Sequence, residues 1–145
     1  MESLKSSLIS LLANTYILYY KAQTYHWNVE GFNFPQLHGF FGDYYGDVYG
    51  TIDHIAEELR VTGSYAPVSL VNIVTSASIK EDTIKPATDR DMVSSLLNAN
   101  TSYITALETA LATATAANAQ GLVDWITGRI DQHNKWGWQL RSILR

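Results

Sequence analysis

Residues 62–88, TGSYAPVSLVNIVTSASIKEDTIKPAT, form a long connection between segments that have helical patterns. Only SLVNIVTSAS, which follows Pro67, has enough apolar residues for one short helix, and the remainder is polar. At about 1.5 Å rise per residue, a connection of this length can return along a helix of about 40 Å. It therefore predicts a helical bundle with one long crossover rather than a simple up-and-down bundle.

Two long helical patterns precede this crossover, and apolar residues recur along each at spacings of three and four. The first helix should end between Asn28 and Gly31, and the second should start near Asn33 or Pro35 and continue to the crossover. The short break makes the two helices antiparallel neighbours. Expected core positions are Leu4, Leu8, Leu11, Thr15, Leu18, Ala22 and Tyr25, then Leu37, Phe41, Tyr44, Val48, Ile52, Ile55 and Leu59.

Two further helical patterns follow the crossover. The third helix should begin at Asp89, and the fourth at about Asn118 or Gln120. Their expected inward positions are Val93, Leu96, Leu97, Asn100, Ile104, Leu107 and Leu111, then Leu122, Ile126, Ile130, His133, Gly137, Leu140 and Leu144. No strand-like alternation is present, so we predict an all-α chain with one domain over residues 1–145. Its topology is a ferritin-like four-helix bundle with a short helix between helices two and three.

The composition is typical of a globular protein, since 46% of residues are hydrophobic and 17% are charged. The net charge is −4, from 10 Lys and Arg against 14 Asp and Glu, and the chain has no basic run or Lys-rich tail for DNA. Cysteine is absent, which excludes disulfides and thiolate metal sites and fits a reducing compartment. No segment is suited to span a bilayer, so we expect a cytoplasmic protein with no membrane partner.

Candidate metal ligands lie around the first break and along the second helix. TYHWNVEGFNFPQLH places His26 and His38 on either side of the break. At about 100° per residue, Asp53 and Glu57 point in nearly the same direction as His38 and away from the core stripe. These carboxylates are four residues apart and can share a metal ion. Two imidazoles and two carboxylates suit Fe(II), Mn(II) or Zn(II).

Helix pitch decides how these ligands can meet. His38 lies about 22 Å from Asp53 along a straight helix, so one chain cannot bring them to one ion. A second copy, antiparallel across a two-fold axis, would place His38 opposite the carboxylates and give two equivalent sites per dimer. His26 would complete each site. A di-iron centre inside one bundle is not supported, because the chain contains no Glu-x-x-His motif.

Other residues of the second and fourth helices are expected to have structural or surface roles. Gly42 and Gly46 share the face of His38, and either the close approach of another backbone or tolerance of small residues explains them. A third face, expected to be solvated, carries Asp43, Asp47, His54 and Glu58. His133 is expected to be a buried, hydrogen-bonded histidine. The expected packing or subunit-contact residues are Trp125, Trp136 and Trp138.

HWNVEGFNFPQLH at 26–38, followed by IDHIAEEL at 52–59, resembles the ferroxidase signature of the Dps family, the mini-ferritins. The resemblance implies that His26, His38, Asp53 and Glu57 ligate iron across a dimer interface that includes the crossover helix. It also implies a hollow dodecamer, built from two-fold dimers, that oxidises Fe(II) with hydrogen peroxide in preference to O2. The ferric mineral would be stored inside, which limits oxidative stress. Zinc is expected to compete for the site.

Three positions need separate comment under this resemblance. Trp27 matches an aromatic residue beside the site, and packing at a helix end, shielding of the centre and interception of radicals all remain open. Gly42 stands where many relatives carry a carboxylate, which predicts a weak or water-completed second iron position. Near the start of the last helix only Asp124 is acidic, where relatives line iron-entry pores. The alternative function is a non-catalytic shell that protects DNA or binds metal without efficient oxidation.

Overall fold

The computed structural model describes residues 2–145 and contains six helices in this range, with no strands. They are α1 (Glu2–Asn28), α2 (Phe34–Tyr49), α3 (Ile52–Val61), α4 (Leu70–Ser76), α5 (Asp89–Ala116) and α6 (Gln120–Ile143). α1 packs against α2, α3 and α5, while α5 packs against α6. The short helix α4 lies in the crossover and contacts α1. The predicted ferritin-like bundle with one long crossover is confirmed.

The second predicted helix is not continuous, and the prediction is wrong at Gly50 and Thr51. Both residues keep right-handed helical torsions, and the Gly50 N–H keeps its helical bond to Gly46 O at 3.1 Å, but the Thr51 N–H bonds to Val48 O at 3.0 Å. The Thr51 hydroxyl also donates to Val48 O at 2.7 Å. A glycine and a threonine that bonds back to the preceding turn are common causes of helix bending. α3 therefore continues α2 after a bend.

The core follows the predicted stripes closely in the first half of the chain. All fourteen positions expected in the first two helices are buried, and their apolar stripe has the expected helical spacing. In α5 and α6 the stripe is displaced. Leu97, Ile104, Leu111, Ile130 and Leu144 are half-buried, whereas Met92, Ala99, Tyr103, Ala110, Ala114 and Trp136 are buried. The reason is that α5 packs against both α1 and α6, so its buried surface is wider than one stripe.

Two polar anchors attach the crossover to α1. Asn14 is buried, and its Oδ1 accepts hydrogen bonds from the backbone N–H groups of Ser78 and Ile79, each at 2.9 Å. Lys21 Nζ donates to Asp82 Oδ1 at 2.9 Å. The length of residues 62–88 allows the crossover to return along α1. These bonds, which join distant parts of the chain, fix that path.

Asp47 is not on a solvated face, so the prediction for this residue is wrong. Arg129 of α6 binds its carboxylate in a bidentate ion pair at 2.8 and 2.9 Å, and the indole N–H of Trp136 donates to Oδ2 at 2.9 Å. Burial opposes ionisation, but these donors outweigh it and hold the pKa of Asp47 below its usual value. The pair joins α2 to α6.

His133 is fully buried and hydrogen-bonded, as the sequence predicts. Its Nδ1 donates to Asn100 Oδ1 at 2.9 Å, and its Nε2 accepts from Arg129 Nη2 at 2.9 Å. Tyr44 donates to the same Asn100 oxygen at 2.8 Å. Burial first, and then the charge of Arg129, lower the pKa of His133 to about 3. The imidazole is therefore neutral at physiological pH.

Candidate metal centre

The hairpin between α1 and α2 brings His26 and His38 into direct contact. α1 ends at Asn28, and the chain turns at Gly31, whose φ of +117° lies in the region that favours glycine. Pro35 lies in the first turn of α2, as predicted. Asn33 occupies the N-cap position of α2, as expected. Its side chain makes no capping hydrogen bond. The hairpin is thus fixed by the turn and by core packing.

The two imidazoles stack face to face with 3.8 Å between centroids and 14° between planes. His26 Nδ1 lies 2.6 Å from the carbonyl oxygen of His38, and His38 Nδ1 lies 2.7 Å from that of His26. A carbonyl oxygen can only accept, so both Nδ1 atoms carry the proton. Each Nε2 is left with a lone pair, the form in which histidine binds metal.

Asp53 and Glu57 lie one turn apart on α3, and both are exposed. Along the helical path Asp53 is about 22 Å and Glu57 about 28 Å from His38, a separation that the bend does not remove. Within residues 2–145 of one chain, no three His, Asp or Glu side chains come close enough to hold a metal ion. One chain therefore keeps the two candidate ligand pairs apart, the imidazoles at the α1–α2 hairpin and the carboxylates on α3.

Gly42 lies directly against the His26 ring. A Cβ atom at this position would lie 3.1 Å from both Cε1 and Nδ1 of His26, closer than nine in ten real Cβ contacts, so the ring would have to move by a few tenths of an ångström. A Cβ at Gly46 would meet no atom of the chain within 4 Å. Within the chain neither glycine meets the other backbone that was one of the two expectations: Gly42 approaches an imidazole side chain, and Gly46 has no such neighbour.

We expect Gly42→Ala and Gly46→Ala to differ in both stability and metal binding. Alanine favours a helix over glycine by about 1 kcal/mol, a gain that Gly46→Ala should retain. Gly42→Ala should lose most of that gain and weaken Zn(II) or Co(II) binding severalfold, because the new methyl group displaces the His26 ring. Thermal unfolding and calorimetric metal titration measure the two effects. Equal metal affinity in both variants would contradict this account of Gly42.

Aromatic residues extend from His26 into a group that the sequence analysis did not identify. Tyr45 lies 5.3 Å from His26 between centroids. We call Tyr16, Tyr19, Tyr20, Tyr45 and Tyr49 the tyrosine cluster, whose rings contact one another at 5.0–6.3 Å through Tyr19. The sequence signal for this cluster is that its tyrosines lie three or four residues apart, at 16, 19 and 20 in α1 and at 45 and 49 in α2. Trp27 is 55% exposed and lies edge-on to Tyr20 at 6.1 Å.

His54 lies at the surface, as expected, with its side chain 41% exposed and one face of its ring covered. Its ring stacks on Trp125 at 4.3 Å and 26°, and its Nε2 lies 3.6 Å from Glu58 Oε1. Trp125 thus packs between α3 and α6, while Trp138 is 62% exposed. Two ligands are fewer than a metal site needs, and His54 and Glu58 have a packing role here.

Membrane insertion has no support in these helices. None of those formed by residues 2–145 combines the length and the apolar character that a bilayer-spanning segment requires.

Comparison with known proteins finds the same fold and similar sequences. The model of the ferritin-like domain matches residues 6–145. A DNA protection during starvation protein of Brevibacillus brevis is 32% identical over 137 residues, which are 92% of this chain and 89% of that protein. A low temperature-induced protein of Nostoc is 31% identical over 134 residues, covering 92% of this chain and 75% of the relative.

Solved structures of Dps proteins have the same fold as this chain. The crystal structure of a Dps protein from Bacillus brevis matches with a TM-score of 0.92 and 31% identity, covering 98% of this chain and 95% of that chain. Dps from Vibrio cholerae, described as a member of a broad superfamily of ferritin-like diiron-carboxylate proteins, matches with a TM-score of 0.93 and 26% identity. That match covers 99% of this chain and 90% of the other. The chain belongs to the Dps family of ferritin-like proteins.

Proposed function

We propose that this protein oxidises Fe(II), with hydrogen peroxide as the preferred oxidant, at centres shared between two chains. The ferric product is retained inside a hollow dodecamer built from two-fold dimers. The observation that carries the proposal is the reciprocal bonding of His26 and His38, which leaves both Nε2 atoms free as metal ligands. Family membership supports iron as the substrate.

Each centre takes its imidazoles from one chain and its carboxylates from another. Asp53 and Glu57 are exposed and therefore available to a second copy. Carboxylate oxygens neutralise part of the charge of Fe(III), so they favour the oxidised product over Fe(II). The Nδ1–H bonds fix the ring orientations before metal arrives, which lowers the cost of ordering the site.

The ring stack indicates two neighbouring metal positions rather than one. A histidine lone pair lies in its ring plane, and the planes of His26 and His38 are nearly parallel with centroids 3.8 Å apart. One ion bound equally by both would lie outside both planes. Each imidazole therefore serves its own position, with Asp53 and Glu57 between them. Gly42 contributes no ligand, so one position is completed by water and binds iron more weakly.

An apolar surface is available for the second chain. Leu70 and Val71 of α4 are 69% and 70% exposed, and α4 lies against α1 beside Tyr16 and Tyr20. Contiguous exposed apolar residues of this kind are typical of protein interfaces. Burial of this surface by a second copy would supply the two-fold contact that the shared centre requires.

Stopped-flow measurement of Fe(II) oxidation in wild type and Asp53→Ala tests the proposal. We expect the variant to lose the rapid peroxide-dependent phase, because half of the carboxylate pair is gone. Asp43→Ala is the matched control, since Asp43 is exposed on α2 at a different face, and it should keep the rapid phase. Zn(II) should inhibit the wild type by competition. Coincident progress curves for wild type and Asp53→Ala would show that the site is assigned wrongly.

A non-catalytic, DNA-protecting shell is the second candidate. The name of the Brevibacillus brevis relative favours it, whereas the net charge of −4 does not. Salt-sensitive retardation of plasmid by the purified protein would support this function, because contacts with phosphates weaken as salt rises.

A further inference from the structure

A polar cavity of about 290 Å³ lies where the crossover meets α1 and α5. The polar residues in its wall are Lys21 of α1, Ser78 and Lys80 of the crossover, and Ser95, Asn98 and Ser102 of α5. None of the described residues in this wall is acidic, whereas four other cavities of residues 2–145 each have Glu81, Asp82 or Asp89 in the wall. In a chain with a net charge of −4, a cavity with two lysines and no acid favours an anionic ligand.

Lys21 is 7% exposed, and its ammonium group has more donors than the fold uses. Nζ carries three N–H groups, and its only hydrogen-bond acceptor among residues 2–145 is Asp82 Oδ1 at 2.9 Å. Asp82 lines two other cavities and is not part of this wall. Two N–H groups of a buried ammonium are therefore available to a further acceptor, and such a group is stabilised when its donors are satisfied.

Lys80 supplies a positive charge that no carboxylate compensates. Asp82 forms an ion pair with Lys21, but Lys80 is exposed and forms no ion pair with another residue of the range 2–145. The next residue, Glu81, lines a different cavity beside Tyr16 and Tyr20. The wall therefore keeps one net positive charge after the Lys21–Asp82 pair is counted.

α5 adds neutral donors from a single turn. Asn98 and Ser102 are four residues apart and exposed, and their side chains form no hydrogen bond with any other group in residues 2–145. The neighbouring Thr101 differs, because its hydroxyl donates to the carbonyl oxygen of Leu97 at 3.0 Å. An amide, a hydroxyl and two ammonium groups, contributed by three separate elements, suit a ligand that presents several acceptor oxygens in different directions.

We propose that this cavity binds a phosphate group, either as inorganic phosphate or as the end of a small phosphate monoester. Such a group carries negative charge and three strong acceptor oxygens. Phosphate has only five heavy atoms, and the cavity could hold several water molecules at about 30 Å³ each, so the space is sufficient. The bound group would bridge α1, the crossover and α5. The proposal is independent of the iron chemistry, because neither the candidate metal ligands nor α4 line this cavity.

Calorimetric titration of the intact protein, freed of metal with a chelator, tests the proposal. Inorganic phosphate and glycerol 3-phosphate are titrated separately at constant ionic strength. We expect Lys80→Gln to weaken phosphate binding about tenfold, because a hydrogen bond to a charged group is lost. Ser102→Ala should weaken it about threefold. Lys85→Gln is the matched control, since it makes the same change of charge at another exposed crossover residue that lines a different cavity.

Thermal unfolding gives a second readout, because a ligand that binds only the native chain raises its melting temperature. We expect phosphate to raise it in wild type and Lys85→Gln, and clearly less in Lys80→Gln, when chloride keeps the ionic strength equal. Tighter binding of glycerol 3-phosphate than of inorganic phosphate supports a monoester ligand, and the reverse supports free phosphate. The absence of both binding heat and a thermal shift in wild type overturns the proposal. Equal weakening in Lys80→Gln and Lys85→Gln overturns it too, since it would show a general effect of surface charge.

Discussion

Co-expression of His26→Ala chains with Asp53→Ala chains is expected to restore about a quarter of the wild-type rate of Fe(II) oxidation, although each variant alone is inactive. Random pairing makes half of the dimers mixed. In a mixed dimer one centre combines both substitutions, and the other combines an intact imidazole pair with an intact carboxylate pair. One centre in four is therefore complete. A centre built within one chain would give no restored activity, because every chain carries a defect.

A matched control reverses the arrangement. A chain with both substitutions, co-expressed with wild-type chains, places one defect in each centre of a mixed dimer. Only wild-type pairs stay active, so about a quarter of the wild-type rate is expected, whereas a centre within one chain would give about a half. The two mixtures together separate shared from unshared centres without a structure of the assembly. A shared centre requires that both mixtures give about a quarter of the wild-type rate of Fe(II) oxidation.

The ligand separation could be predicted from sequence because it depends only on helix pitch. His38 and Asp53 lie on the same helical path, and the rise per residue sets their distance whatever the side chains do. Side-chain geometry could not be predicted in this way. The stack of His26 on His38 depends on how the turn at Gly31 closes, and the proposal of two metal positions rests on this stack.

Position on a helical wheel failed where another helix covers a polar face. Asp47 lies away from the apolar stripe of α2, which predicts solvent exposure, but Arg129 and Trp136 of α6 approach from that side. A wheel for one helix has no information about its neighbours. The bend at Gly50 and Thr51 was missed for a related reason, since glycine and threonine are tolerated in helices and only the observed hydrogen bonds show the bend.

Acidification from pH 7 to pH 5 is expected to destabilise the fold through His133. The folded state lowers the pKa of this group from 6.5 to about 3, so between these values the unfolded chain binds the proton and the native chain does not. Stability is complete above 6.5 and falls as pH decreases, by up to about 1.4 kcal/mol per pH unit. At pH 5 the loss reaches about 2 kcal/mol for this group. The lowered pKa of Asp47 acts only below its ordinary value of 3.8.

Comparison with His133→Gln isolates this effect from the other titrating groups. The glutamine amide can donate to Asn100 and accept from Arg129, but it does not titrate. We expect the variant to be less stable than wild type at pH 7 and the difference to shrink by about 2 kcal/mol at pH 5. Guanidinium unfolding followed by circular dichroism, with a chelator and at constant protein concentration, measures the difference. His54→Gln is the control, because it removes an imidazole that lies outside the buried network. A His133→Gln curve parallel to wild type would mean that the buried imidazole takes up its proton between pH 7 and pH 5 as readily as in the unfolded chain. Such uptake is disfavoured here, because the Nε2 atom of His133 accepts a hydrogen bond from a guanidinium group.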